Sequence, residues 1–320
     1  MSILVCGGAG YIGSHVVLEL IKKNYDVVVI DNLSNGHKEF LQKDVRFYEG
    51  DIRDEKLVEK IIHDEKIDSV IHFAAFSLVG ESMINPAKYY DNNVLATFSL
   101  LNSLRKNNVK KIIFSSTAAV YGEPQSIPIT EDNPVNPINP YGETKITIEK
   151  MLHWFDKAYG IKYVALRYFN VAGADESGQI GEAHNPETHL IPIILKAVRD
   201  NKTIKIFGND YPTPDGTCIR DYIHVTDLAA AHILALEKLS DQSKIYNLGN
   251  NKGLSVMEIV KTAEIVTGKK ISYEIAPRRV GDPAILIASS EKIKNELGWQ
   301  PKFCTPEKII SSAWNWHKNH

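Results

Sequence analysis

The chain is poor in the features that mark secreted, metal-holding or nucleic-acid-binding proteins. Its three cysteines, Cys6, Cys218 and Cys304, lie far apart with no Cys-x-x-Cys pair, which speaks against a disulfide framework and against a zinc site. A formal net charge of -2 leaves no basic surplus to hold a nucleic acid or a membrane surface, and neither partner is expected. No apolar run is long enough to span a bilayer, and with an apolar strand read as beginning at Ser2 no signal peptide is expected. A reducing cytoplasm is the expected compartment. There is no internal repeat, no Walker sequence and no His-Glu-x-x-His, and no metal is expected. The two histidines of His317-Lys318-Asn319-His320 read as a frayed terminus.

What is present is a glycine turn in a telling place. Gly7-Gly8-Ala9-Gly10-Tyr11-Ile12-Gly13 follows the apolar run Ser2-Ile3-Leu4-Val5-Cys6 and precedes a helical pattern over 11–22. A diphosphate can reach a helix N-terminus only where no Cβ stands in the way, which gives Gly7, Gly10 and Gly13 a physical reason. The same glycines would also serve chain reversal and close helix packing alone. A second strand, 26–30, ends in Asp31, near the distance expected of a carboxylate that takes a ribose hydroxyl.

At 320 residues, 43% of them hydrophobic, the chain can bury a full core and divide into two domains. Strands near 45–49, 68–73 and 111–115 alternate with helices over 54–66 and 86–107. Strands that are apolar nearly throughout predict an α/β fold, a Rossmann-type doubly wound parallel sheet, followed by a smaller mixed α/β substrate domain. The expected domains are 1–170 and 171–320, with the helix near 225–238 returning to the first, as the resemblance described below implies. Ligand residues are expected at strand C-termini: Asp31, Asp51-Ile52, Phe73-Ala74-Ala75 and Ser115-Ser116-Thr117. Asp51 could instead cap the helix after it, and Asn92 could be a solvated helix residue.

Asn139-Pro140-Tyr141-Gly142-Glu143-Thr144-Lys145 predicts a capped helix running to about 159, with Tyr141 and Lys145 on one face. A tyrosine with an ordinary pKa near ~10 is a poor base, and the ammonium and the helix N-terminus are expected to favour its phenolate. Thr117, just past its strand, adds a hydroxyl that can donate and accept. Such a trio suits proton and hydride transfer; a core tyrosine, a snorkelling lysine and a turn hydroxyl are the bland reading.

Ser-Ser-Thr-Ala-Ala-Val-Tyr-Gly at 115–122, Pro-Tyr-Gly-Glu-Thr-Lys at 140–145 and Leu-Arg-Tyr-Phe-Asn at 166–170 resemble the extended short-chain dehydrogenase/reductase family. The runs 207–213, 215–217, 220–225 and Arg278-Arg279-Val280-Gly281-Asp282 narrow the resemblance to the branch that inverts UDP-glucose at C4. It covers essentially the whole chain.

The resemblance implies NAD contacts at Gly7, Gly10, Tyr11, Ile12, Gly13, Asp31, Asn32, Ser34, Asn35, Asp51, Ile52, Phe73, Ala74, Ala75, Asn92, Tyr141, Lys145 and Tyr168. It makes Tyr141 the base, Lys145 the ribose ligand and Thr117 the partner of O4. The UDP-sugar would meet Phe169, Asn170, His189, Leu190, Phe207, Arg220, Arg279, Asp282 and Leu286, with Ile285 the alternative to Leu286 beside the sugar's C2 group. Two departures stand out: Ser77 replaces a lysine that some relatives aim at the cofactor diphosphate, and His189 replaces an asparagine near the substrate diphosphate. Interconversion of UDP-galactose and UDP-glucose is implied, by a homodimer joined through the helices 86–107 and 140–159. Epimerisation of UDP-N-acetylglucosamine and non-catalytic NAD(H) sensing are the alternatives. A 4,6-dehydratase would carry Asp-Glu where this chain has Ala118-Ala119.

Overall fold

The computed structural model describes residues 1–279 and 282–320; Val280 and Gly281, inside the run 278–282 noted above, lie outside the described residues. The chain divides into two compact units. The first comprises Met1–Glu123, Pro134–Arg167 and Ala229–Tyr246, and the second Pro124–Asn133, Tyr168–Leu228 and Asn247–His320. Helix Val225–Lys238 contributes to both, and Tyr168 counts with the second.

In the first unit, β1 (Ser2–Cys6), β2 (Asp26–Asp31), β3 (Arg46–Glu49), β4 (Ser69–His72), β5 (Lys111–Thr117) and β6 (Lys162–Tyr168) form a seven-stranded sheet with Lys244–Leu248. The order is Lys244–Leu248, β6, β5, β4, β1, β2, β3. Pairings among β1 to β5 are parallel. Strands such as Val27-Val28-Val29-Ile30 suit this place because β-branched side chains pack well on a pleated surface covered on both sides. Leu4 and Cys6 join a core with Val58, Ile61, Leu100, Leu104, Ile148 and Leu152, while the alternate Ile3 and Val5 face the other way and are equally buried. Each such side chain contributes about 1.5–3 kcal/mol on burial.

Because β1 lies between β2 and β4, the chain leaves it on one side and comes back on the other. The crevice at the C-terminal ends of β1 and β4 is where open parallel sheets take ligands. There the backbone N–H groups of Phe73 and Ala74 donate to the Cys6 carbonyl at 2.8 and 3.0 Å.

Four expectations change. The helix foreseen over 86–107 has three parts: Pro86–Tyr89 and Ala96–Lys106 are α-helical, and Tyr90–Leu95 between them is a π-helical turn. Asn93 in that turn bonds the backbone of Phe76 and the hydroxyl of Thr144, so its side chain is spent on tertiary anchors. The helix foreseen over 54–66 is Glu55–Asp64, because Asp54 caps it and Lys66 has left-handed backbone at φ 51°. Thr117 is the last residue of β5 rather than one beyond it. The C-terminus is packed: His317 is buried in helix Pro306–His317, and the His320 ring stacks on Trp316 with centroids 3.6 Å apart.

The second unit is mixed. Strand Ile219–His224 pairs antiparallel with Gly253–Ser255 and parallel with Asn170–Ala172 and Ile285–Leu286. Its core draws Ile191, Ile194 and Leu195 together with Ile259, Ala263, Ile309 and Ile310 from three helices. The loop after Phe207 is tied internally, Tyr211 N–H to Gly216 O at 2.9 Å and Thr213 Oγ1 to Thr217 O at 2.7 Å. Among the described residues no helix is long and apolar enough to cross a membrane.

Candidate active site

The first unit carries a groove of about 590 Å³, counting space open to solvent, at the crossover point of the sheet. Twelve of the expected cofactor residues line it: Gly7, Gly10, Asp31, Asn32, Ser34, Asn35, Asp51, Ile52, Phe73, Ala74, Ala75 and Asn92. Tyr11, Ile12 and Gly13 form the first turn of helix Tyr11–Lys22 beside it. Ile30, Gly36, Gly50, Phe76 and Ala96 also line the groove and were not expected. Ile30, Gly36, Gly50 and Phe76 each adjoin an expected residue, so extending each named run by one residue would have found these four, and Ala96 lies one helical turn beyond Asn92.

Backbone shapes this groove. Gly7 has φ +78°, and a Cβ there would lie 2.5 Å from the Ala74 nitrogen; one on Gly13 would lie 2.2 Å from the Gly7 oxygen. Gly10 is the N-cap and offers no side chain to the first-turn amides, which have no partner within the helix itself. Those amides and the positive end of the helix suit a diphosphate. Asp31 ends β2 with Oδ2 accepting from the Ala9 N–H at 2.9 Å and Oδ1 from the Leu33 N–H at 2.8 Å. Burial raises its pKa against those two hydrogen bonds. Asp51 is not the cap of the next helix; it holds Arg53 and accepts from Asn32 Nδ2 at 3.1 Å. A cradle that a Cβ would fill, a helix end and an acidic strand terminus fit a dinucleotide.

Thr117, Tyr141 and Lys145 come together in the same unit. Tyr141 and Lys145 are both buried on helix Pro140–Tyr159, which Asn139 caps through the Gly142 N–H at 2.8 Å. Thr117 lies close enough to Tyr141 to favour its phenolate, and its Oγ1 accepts from the Ala119 N–H at 3.2 Å. Lys145 Nζ donates to the Ser115 carbonyl at 2.8 Å and stands 5.9 Å from the Tyr141 ring centroid. The expected lowering of the Tyr141 pKa does not occur in this structure: burial pushes the phenol up, and the neighbouring Thr117 hydroxyl offsets only part of that. The reason lies in Lys145, which burial brings down to about 7 against the pull of Glu149 and which faces a carbonyl instead of the phenol oxygen.

Glu149, one turn further along the same face, was missed. It is buried in an ion pair with Arg167 at 2.6 Å and accepts from Ser116 Oγ at 2.5 Å, bracing the end of β5. The spacing Tyr141, Lys145, Glu149 was the available signal. Asn93 was also missed; the signal was a pair of asparagines inside an apolar helix pattern.

In the second unit, Arg220 is paired with Asp282 and donates to the Ile219 and Pro283 carbonyls at 2.7 Å each. Arg279 lies over the Phe207 ring at 4.2 Å, and Arg278 over Tyr211 at the same distance while holding Asp210. Leu286 pairs with Arg220, and Ile285 with Ile219, so the two side chains leave opposite faces of the strand. Asn170 opens strand Asn170–Ala172, and the Phe169 N–H donates to Leu248 O at 3.2 Å. His189 is the N-cap of helix Leu190–Asp200, and its Nδ1 is engaged by Glu182, leaving one ring nitrogen for any phosphate.

A strand-end hydroxyl, a buried phenol and a lysine in the unit that carries the glycine groove define a Rossmann-type, dinucleotide-dependent enzyme. The chain belongs to the NAD dependent epimerase/dehydratase family, whose match spans residues 3–249, and its cofactor is NAD. It is 58% identical to the UDP-glucose 4-epimerase of Halalkalibacterium halodurans, over 100% of this chain and 96% of that one. A crystal structure of a UDP-glucose 4-epimerase superposes with a TM-score of 0.98 at 53% identity, covering 100% of this chain and 98% of the other. The Bifidobacterium longum UDP-glucose 4-epimerase, solved in complex with NAD+ and UDP, matches with a TM-score of 0.94 at 42% identity, over 100% and 98% of the two chains.

Proposed function

We propose that this chain interconverts UDP-galactose and UDP-glucose by inverting the sugar's C4. The observation that carries the reading is Tyr141, buried, beside Thr117 and one helical turn from Lys145. Thr117 positions the C4 hydroxyl, and Tyr141 takes its proton as the 4-keto sugar forms. The same phenol returns the proton once the keto group has turned its other face. Lys145 holds the cofactor ribose and, when protonated, stabilises the phenolate. Bound NAD supplies the reversible hydride acceptor that this inversion requires. In the second unit, Arg220 and Arg279 are the cations for the UDP diphosphate, with Phe169, Asn170, His189, Leu190, Phe207 and Asp282 around the nucleotide and Leu286 beside the sugar.

Incubating the purified protein with UDP-galactose tests this: UDP-glucose should accumulate with no net change in NAD. A 4-keto-6-deoxy product or no product at all overturns the proposal. Asp31 is followed by Asn32 rather than an arginine, so NADP should not replace NAD in cofactor-free protein.

The domain assignment follows the same division: NAD with the first unit, the nucleotide sugar with the second. A cytoplasmic homodimer is proposed on the exposed face that carries Leu95, Phe98, Trp154 and Tyr159, which are 55%, 45%, 68% and 44% exposed. Leu152, on the same helix as Trp154 and Tyr159, lies in the core and adds nothing to that surface. Sedimentation of a monomer at micromolar concentration would overturn the dimer.

A further inference from the structure

The segment before helix Leu190–Asp200 reads Glu182-Ala183-His184-Asn185-Pro186-Glu187-Thr188-His189, and it folds so that four side chains converge. One ligand atom from each of Glu182, His184, Glu187 and His189 lies within 4.8 Å of all the others. His184 Nδ1 and His189 Nδ1 stand 3.1 and 2.5 Å from Glu182 Oε1, and both stand 3.8 Å from Glu187 Oε1. A tetrahedral zinc with bonds of about 2.0–2.1 Å needs donor atoms about 3.3 Å apart, in the middle of these distances. The two imidazoles meet edge to face, with centroids 5.2 Å apart and planes at 69°, so their Nδ1 atoms converge without the rings stacking.

The ligands are held from behind. The Trp316 indole donates to the Glu182 carbonyl at 3.3 Å, and the N–H groups of Thr188 and His189 fix Glu187 Oε1 at 2.9 and 3.0 Å. Lys196 stands 3.4 Å from the other oxygen of Glu187. The Glu182 and Glu187 side chains are 3% and 8% exposed, whereas His189 is 45% exposed and leaves a path for entry. Two buried carboxylates need countercharge, and two imidazoles with two carboxylates suit zinc and its neighbours rather than magnesium or calcium.

We propose that Glu182, His184, Glu187 and His189 form a structural site for a divalent transition metal of the zinc class. Four protein ligands close the coordination sphere, so the metal clips residue 182 to the start of helix Leu190–Asp200 and takes no part in the C4 chemistry. The sequence reading placed no metal in the chain; this convergence exists only in the fold. It also occupies His189 Nδ1, leaving only the other ring nitrogen for a diphosphate.

NAD-loaded protein stripped with a chelator and titrated with zinc sulfate in a calorimeter should take up one zinc per chain. The double variant Glu182→Gln, His184→Ala should bind at least about 100-fold more weakly, and His63→Ala, which changes an exposed histidine elsewhere, should bind as wild type does. Cobalt chloride added to the stripped wild-type chain should give the visible absorption of a four-coordinate site, a readout that needs no variant. No saturable zinc uptake, uptake unchanged in the double variant, or no visible cobalt band would show an ion-paired cluster and overturn the proposal.

Discussion

Backbone shapes the groove of the first unit, whereas side chains make up the nucleotide-sugar site proposed for the second. In the groove, Gly7 and Gly13 make room that any Cβ would close, and Asp31 is pinned by two N–H groups. Little has to move before a dinucleotide sits there. In the second unit Arg220 is already bound to a carboxylate, Asp282, and Arg279 lies over the Phe207 ring. To hold a diphosphate, such an arginine has to exchange or share a partner. A rigid cradle suits a cofactor that stays through every turnover, and exchangeable cations suit a nucleotide sugar that leaves after each one.

Removing the proton acceptor gives the largest contrast between the units. Tyr141→Phe should lower kcat by about 10³-fold or more while NAD content and UDP affinity stay at wild-type levels. Activity within about tenfold of wild type would take Tyr141 out of the base role. Arg220→Ala should act the other way. Losing charge-assisted hydrogen bonds worth about 1.5–3 kcal/mol should weaken UDP binding by about 10- to 150-fold, with NAD retained and kcat little changed. Calorimetry with UDP checks this, and Arg220→Lys should recover part of the loss. An equal fall in NAD content would mean that the variant damages the fold.

Leu286→Ser sharpens the account of the second unit. An unyielding leucine beside an N-acetyl group costs about 1–3 kcal/mol, so the serine should raise the kcat/KM ratio for N-acetylated over plain UDP-sugars by about 5- to 150-fold. An unchanged ratio would exclude Leu286 as the gate and turn attention to Ile285, on the opposite strand face.

The last effect concerns Lys145, and it falls on stability rather than on activity. Its folded pKa, about 7, is below the ordinary lysine value, so between about pH 7 and 10 the unfolded chain binds the extra proton. Stability of cofactor-free protein should therefore rise with pH through that window, by at most about 1.4 kcal/mol per unit, and fall as pH drops toward 7. Denaturant melts of Lys145→Met should lack this slope; an identical slope in the variant would assign it to other groups.

Much of this was legible in the chain. The glycine spacing, the apolar β1 and β2, the carboxylate at Asp31 and the capped Tyr-x-x-x-Lys helix follow from local rules: steric demands of a turn, alternation, and helical periodicity. Most groove residues could be named because an open parallel sheet puts ligands at strand C-termini. The π-helical turn at Tyr90–Leu95 could not be read, because its cause is Asn93 reaching Phe76 and Thr144, 17 and 51 residues away. The direction of the Tyr141 shift also escaped, since the sequence places Lys145 one turn away but gives neither its burial nor its bond to Ser115.

What the sequence determined by itself was the class of fold, the glycine cradle and the capped helix that carries Tyr141 and Lys145, because each depends on residues close along the chain or on a repeating period. Tertiary structure alone decided which charges pair and which titratable groups are stripped of water. Arg220 with Asp282, and Lys145 with its pKa brought down by burial, are of that kind. Coulombic and desolvation energies depend on separation and burial in space, and neither is encoded in any short stretch of sequence.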